Sequence, residues 1–157
     1  MASAKSSNFE KLIDPTKYQV FLFACPAHVP AHFAIHPWFV VNKKGNLSRW
    51  EIRYKKNSIT EEYLHLNNLA PFQGIGVFAF SQKPEWQAKL LGSIGGNEDS
   101  TSKKIIDFIE TSKNTYPHRT EYRVHKENSV TYVSWVLSHF PEWKVRFPWN
   151  TIGKRYE

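Results

Sequence analysis

Residues 33–55 read FAIHPWFVVNKKGNLSRWEIRYK, and the fold turns on how this stretch is read. Phe33–Val41 is apolar, aromatic and β-branched, the composition of a strand, with a break or bulge expected at Pro37. Lys43-Lys44-Gly45-Asn46 is turn chemistry, because glycine enters left-handed backbone without steric cost. Leu47–Lys55 then alternates. Trp50, Ile52 and Tyr54 are apolar, whereas Arg49, Glu51, Arg53 and Lys55 are charged. A period of two marks a strand with one buried and one wet face. Two such strands joined by so short a turn form a hairpin.

Outward from the hairpin, Tyr18–Cys25 is dense in aromatic and β-branched residues and reads as a buried strand. Pro26 and Pro30 punctuate the loop between. Gly74–Phe80 and Ala88–Ile94 are further strand candidates, the second ended by Gly95-Gly96. Ser100 or Thr101 can cap a helix running to about Asn114, with Ile105, Ile106, Phe108 and Ile109 toward the core and Pro117 as a stop. Glu121–Val124 is short and extended. Asn128 caps a second helix, Ser129–Phe140, stopped by Pro141. Val145–Tyr156 is irregular chain. Strands followed by helices predict an α+β fold, an antiparallel sheet packed against two or three helices. Residues 1–15 form a loosely ordered start with a short helical turn, and residues 1–157 read as a single domain.

Composition narrows the function classes. The chain has 157 residues, 41% of them hydrophobic and 15% aromatic, which excludes intrinsic disorder. Lys plus Arg is 21 against 14 for Asp plus Glu, a net charge of +7. No apolar run reaches the ~20 residues of a membrane span, and Met1–Lys11 lacks a hydrophobic signal core. The expectation is a soluble, cytoplasmic protein. The single cysteine, Cys25, excludes an intrachain disulfide and a Cys-based zinc finger. Walker-type, Gly-x-Gly-x-x-Gly, His-Glu-x-x-His and Gly-x-Ser-x-Gly patterns are all missing, which argues against nucleotide hydrolysis, Rossmann redox and zincin chemistry. No cofactor is expected. His28, His32 and His36 recur at a spacing of four, but Pro26, Pro30 and Pro37 prevent the helix that would align them, so no metal site is expected.

Three residues carry the candidate chemistry. His36 lies within an otherwise core-like strand, where an imidazole must be hydrogen-bonded or functional; a satisfied core histidine is the bland reading. Ser129 is the first helical residue after Asn128 and shares a helix face with Val133, Val136 and Phe140. A helix start offers free N–H groups and a positive dipole end, which stabilise an oxyanion; the bland reading is a good first-turn serine. Glu51 sits on the hairpin partner of the His36 strand and could orient the imidazole. Its phase groups it with the solvated charges, and Arg53 and His65 compete for its role.

These residues coincide with a resemblance. His36-Pro37-Trp38, Asn128-Ser129 and Ile152-Gly153-Lys154 resemble the strand, helix start and C-terminal close of an uncharacterised bacterial domain family, over about residues 18–156. Lys126-Glu127 departs from its usual Gly-Pro, and Arg155 stands in place of an acidic residue. More distantly, the order of histidine on a hairpin strand, polar residue on the next strand, and Asn-nucleophile at a helix start is similar to the permuted papain-like group. That group includes NlpC-type amidases and lecithin-retinol-acyltransferase-like proteins. This resemblance implies a permuted papain-like architecture with Ser129 at the nucleophile position, His36 as base and Glu51 as orienter. The group carries cysteine where this chain has Ser129, and serine is a far poorer nucleophile than a thiolate.

Three functional expectations follow. The first is a hydrolase or acyltransferase using Ser129. The second is a catalytically inactive domain on the same scaffold that binds a small molecule, peptide or acyl ligand. The third is a basic nucleic-acid-binding module, suggested by the charge and the aromatics, though the cationic residues are scattered and no RNA-recognition motif occurs.

Overall fold

The computed structural model describes residues 6–28, 30–75 and 86–156. The elements follow in the order α1 (Ser6–Glu10), β1 (Tyr18–Pro26), β2 (Ile35–Lys43), β3 (Asn46–Ile52), β4 (Leu64–Leu66), β5 (Lys89–Gly96), α2 (Thr101–Thr115) and α3 (Ser129–Ser138). The strands form one five-stranded sheet, ordered β4-β3-β2-β1-β5, with every pairing antiparallel. The architecture is α+β, as expected. No helix among the described residues is long and apolar enough to cross a membrane.

The hairpin closes by pairing Lys43 with Asn46, leaving a two-residue turn. Lys44 (φ 51°) and Gly45 (φ 96°) both adopt left-handed backbone, which matches the twist of the strands they join. Pro37 does not break β2, whose pairing with β1 runs unbroken from Ile35 to Lys43. On its other side β2 pairs with β3 only from Phe39 onward. Pro37 therefore lies where the strand is paired on one side, a position that tolerates a missing N–H. The irregularity falls instead between β1 and β5, at Leu22/Phe23.

Both faces of the sheet are covered. Val20, Leu22, Phe39, Val41, Trp50 and Ile52 face α2 and α3 and pack with Ile105, Ile106, Ile109, Tyr132, Val133 and Val136. Phe21, Phe23, Cys25, Trp38 and Val40 point the other way, into a second cluster with Phe9, Ile13, Leu69, Phe72, Ile75 and Ala88. This explains the unbroken apolar run of β1, since a strand covered on both faces has no reason to alternate. It also corrects the reading of β3. The alternation of Arg49 and Glu51 with Trp50 and Ile52 is real, but the charged face is not wet: Arg49 and Glu51 are both 0% exposed.

α2 and α3 each begin at the expected cap. The Ser100 hydroxyl accepts from the Lys103 N–H, and the Asn128 carboxamide accepts from the N–H groups of Val130 and Thr131. Thr131 Oγ1 accepts in turn from the Asn128 N–H, closing a capping box. α3 ends at Ser138, two residues before the expected Phe140. The next N–H groups, of His139 and Phe140, turn tightly back to Val136 and Leu137. Gly74 and Ile75 are irregular rather than the start of a strand, and the rest of the stretch expected as Gly74–Phe80 lies outside the described residues.

Candidate active site

At the edge of the second face the sheet carries a polar cluster. His36 on β2 and Glu51 on β3 meet through Nε2 and Oε2 at 2.7 Å. Arg49, two residues along β3 and so on the same face, grips the same carboxylate with both arms of its fork, Nη2–Oε2 at 2.8 Å and Nε–Oε1 at 3.1 Å. The guanidinium lies 4.1 Å from the centroid of Trp38, a cation–π contact. Its remaining reach goes to the carbonyls of Ala70 and Gln73, and Trp38 Nε1 donates to the Pro71 carbonyl at 2.9 Å. The 70–73 loop thus satisfies the donors that Arg49 and Trp38 have left over.

Electrostatics follow from this geometry. Burial by itself raises the Glu51 carboxyl, but the contacts with His36 and Arg49 outweigh it and hold the group down, at about 2. Burial lowers His36 below its usual value, more than the carboxylate raises it. The imidazole is therefore neutral near pH 7, with its proton on Nε2 and donated to Glu51. Nδ1 then carries the free lone pair, and it has no partner among the described residues. Cys25 stands opposite His36 in register. Its thiol is pushed up to about 12 by burial and accepts from the Ile75 N–H at 3.3 Å. It is a structural thiol, not a nucleophile.

His36 opens onto a cavity of about 340 Å³ where the end of β1, the start of β2 and the end of β3 meet the start of α3. Ser129 lines the same cavity, as do His28, Arg53, Tyr122, Val124 and Ile152. Ser129 is 7% exposed. The Asn128 cap consumes the N–H groups of Val130 and Thr131, and the Tyr132 N–H returns to the Asn128 carbonyl. The Ser129 N–H alone in this first turn has no partner among the described residues. The helix start therefore leaves one N–H uncommitted rather than the several expected.

The other two candidates for the orienting role stand apart from His36. Arg53 lines the cavity, donating to Asn68 Oδ1 at 2.8 Å with Nη2 3.4 Å from His28 Nε2. His65 is tied to the Lys55 carbonyl at 2.8 Å. Sequence reasoning misses Arg49 as a site residue, although its i, i+2 spacing from Glu51 places the two on one strand face. The three-histidine series does not converge. His28 packs on Tyr54 with ring centroids 4.8 Å apart, and His32 lies 6.4 Å from the ring of Trp86.

The C-terminal motif has a packing reason. The Asn128 carboxamide donates to the carbonyls of Val124 and Ile152, at 2.7 and 3.0 Å. Gly153, at φ 152°, lies so close that a Cβ there would be 2.4 Å from Asn128 Oδ1. Ile152-Gly153 and Asn128-Ser129 are thus two halves of one joint, and the same joint builds a cavity wall. Comparison with curated proteins and with solved structures finds no match to the chain. Residues 17–156 match the family described as a protein of unknown function, DUF3750, and the chain belongs to that family.

Proposed function

We propose that the cavity is a permuted papain-like cleft and that the protein is a hydrolase or acyltransferase acting through Ser129. In this reading Ser129 Oγ forms a bond to an acyl carbonyl carbon while His36 Nδ1 takes the hydroxyl proton. The Ser129 N–H faces the developing oxyanion. Collapse breaks the bond to the leaving group, which takes the proton back from His36. Water, or an acceptor hydroxyl or amine, then releases the acyl group by the same steps reversed. Glu51 fixes the tautomer and stabilises the imidazolium, as the third member of such sites does. Arg49 keeps Glu51 ionised.

The observation that carries this reading is that Ser129 and His36 line one cavity while the far nitrogen of His36 is held by a buried carboxylate. The cavity wall is largely apolar, with Ala34, Ile35, Ile75, Val124 and Ile152, and carries the Arg53 cation. That suits an acyl body with an anionic group, and it equally supports binding without turnover. A nucleic-acid surface has less support, because Lys43, Lys103 and Arg119 are paired with Glu110, Asp107 and Glu62.

A serine-directed fluorophosphonate separates the readings. Wild type is expected to be labelled at one site, with labelling lost in Ser129→Ala and in His36→Ala while circular dichroism is unchanged in Ser129→Ala. Wild type that resists labelling would leave the inactive binding domain as the reading. Labelling that persists in Ser129→Ala would remove Ser129 from the role.

A further inference from the structure

The connection between α2 and α3 carries a second chemistry-bearing cluster. One donor atom each from His118, Glu121 and Glu127 lies within 4.8 Å of the other two. His118 Nδ1 and Glu121 Oε2 are 3.5 Å apart. Acidic clusters are common on surfaces, but one carboxylate of this one is set inward. Glu127 is 8% exposed. Both Glu127 Oε2 and His118 Nδ1 are buried without a hydrogen-bond partner, two of the four such side-chain atoms among the described residues. An orphaned buried carboxylate oxygen costs a large desolvation penalty, and here it lies beside an orphaned ring nitrogen. Its cationic partner among the described residues, Arg123 Nε, stands at 3.7 Å on a side chain that is 63% exposed and free to withdraw.

The other ring nitrogen is already committed. His118 Nε2 meets the Tyr156 hydroxyl at 3.0 Å. With Nε2–H donating to that oxygen, the lone pair sits on Nδ1 and points into the cluster. Ligating histidines are held in just this manner by an outer partner on the far nitrogen.

We infer that His118, Glu121 and Glu127 bind a divalent transition-metal ion of the zinc type. One imidazole nitrogen with two carboxylate oxygens suits zinc better than calcium or magnesium, which favour all-oxygen shells. Zinc–ligand bonds of ~2.0–2.2 Å set donor atoms roughly 3.4 Å apart, close to the His118–Glu121 separation. Glu121 is half exposed and can adjust to complete the set. Three protein ligands leave a fourth position for water. The metal would clamp the segment that contributes Tyr122 and Val124 to the cavity wall and leads into Asn128-Ser129. The inference stands whether or not Ser129 is a nucleophile.

The test uses the full chain, stripped with a chelator and then titrated with zinc against a chromophoric competitor. One equivalent is expected, together with a rise in Tm on zinc addition. Glu121→Gln alters an exposed position and should weaken binding by more than roughly tenfold, since even outer-shell losses cost about 10–100-fold. Tyr156→Phe should weaken it by about tenfold, and Glu98→Gln not at all. Less than one equivalent in wild type would overturn the site. So would unchanged affinity in both Glu121→Gln and a second variant, His118→Gln, which would place the zinc on other histidines.

Discussion

Glu51 shows what a single residue's partners decide. A carboxylate at 0% exposure is tolerable only because His36 and Arg49 spend their hydrogen bonds on it. Glu51→Gln keeps the shape and removes the charge, leaving Arg49 buried and unpaired. We expect a loss of about 3–5 kcal/mol in stability, read by urea unfolding. Arg49→Met combined with Glu51→Gln should recover a good part of that loss, because an uncharged pair strands no charge. A double variant no more stable than Glu51→Gln would show that the arginine's contacts with Trp38, Ala70 and Gln73 matter more than its charge.

At the scale of the element, α3 depends on residues far from it in sequence. Its cap is local, but the Asn128 side chain is fixed by the Ile152 carbonyl and by the absence of a side chain at Gly153. Gly153→Ala adds a methyl group against Asn128 and forces alanine into positive φ. The expected cost is about 1–3 kcal/mol, seen as a lower Tm beside a Lys154→Ala control. If Ser129 acts as proposed, labelling should fall as well, because the joint that shifts also carries the nucleophile. A Tm equal to that of the control would mean that the C-terminal tail can move away without consequence.

Across the whole molecule the polar cluster makes stability depend on acid. His36 is held neutral below its ordinary 6.5, so unfolding takes up a proton once the pH falls beneath that value. Glu51 is held at about 2 against an ordinary 4.5, so the unfolded chain binds the extra proton between those values. Both signs agree: stability is full above about pH 6.5, declines below it, and declines further from 4.5 toward 2. Arg49 and Cys25 also face the pair, and the Cys25 thiol, pushed up to about 12 by burial, stays protonated throughout that window. His28, which also feels His36, is itself lowered by burial and adds in the same sense. Unfolding free energies measured from pH 7 to pH 3 should fall steadily, and the fall below 4.5 should flatten in the Glu51→Gln, Arg49→Met double variant. A profile flat from pH 6.5 to 4.5 would contradict the neutral buried His36, and one with no further fall between 4.5 and 3 would contradict the buried ionised carboxylate.

Much of the fold is written locally. The period of two in β3, the Lys44-Gly45 turn and the caps at Ser100 and Asn128 each depend on residues within a few positions, so the α+β class and most element bounds are legible in the sequence alone. His36, Glu51 and Ser129 are also legible as candidates, from chain order, the hairpin that sets Glu51 beside the His36 strand, and the helix start at Ser129, although the phase of β3 argues against Glu51. What the phase of a strand cannot tell is which face is covered. Arg49 and Glu51 look like solvated charges because alternation records only that two faces differ. Their sheet face is covered by a cluster that draws in Phe9, Phe72 and Ile75 from segments distant in sequence, and the carbonyls of Ala70 and Gln73 complete the hydrogen bonds of Arg49. The gathering of His118, Glu121 and Glu127 depends likewise on a loop whose path is set by Tyr156 and Lys154 at the far end of the chain. Local spacing fixes what each segment can be. Only the packed molecule decides what it faces, because burial and hydrogen-bond satisfaction are properties of neighbours brought from elsewhere in the sequence.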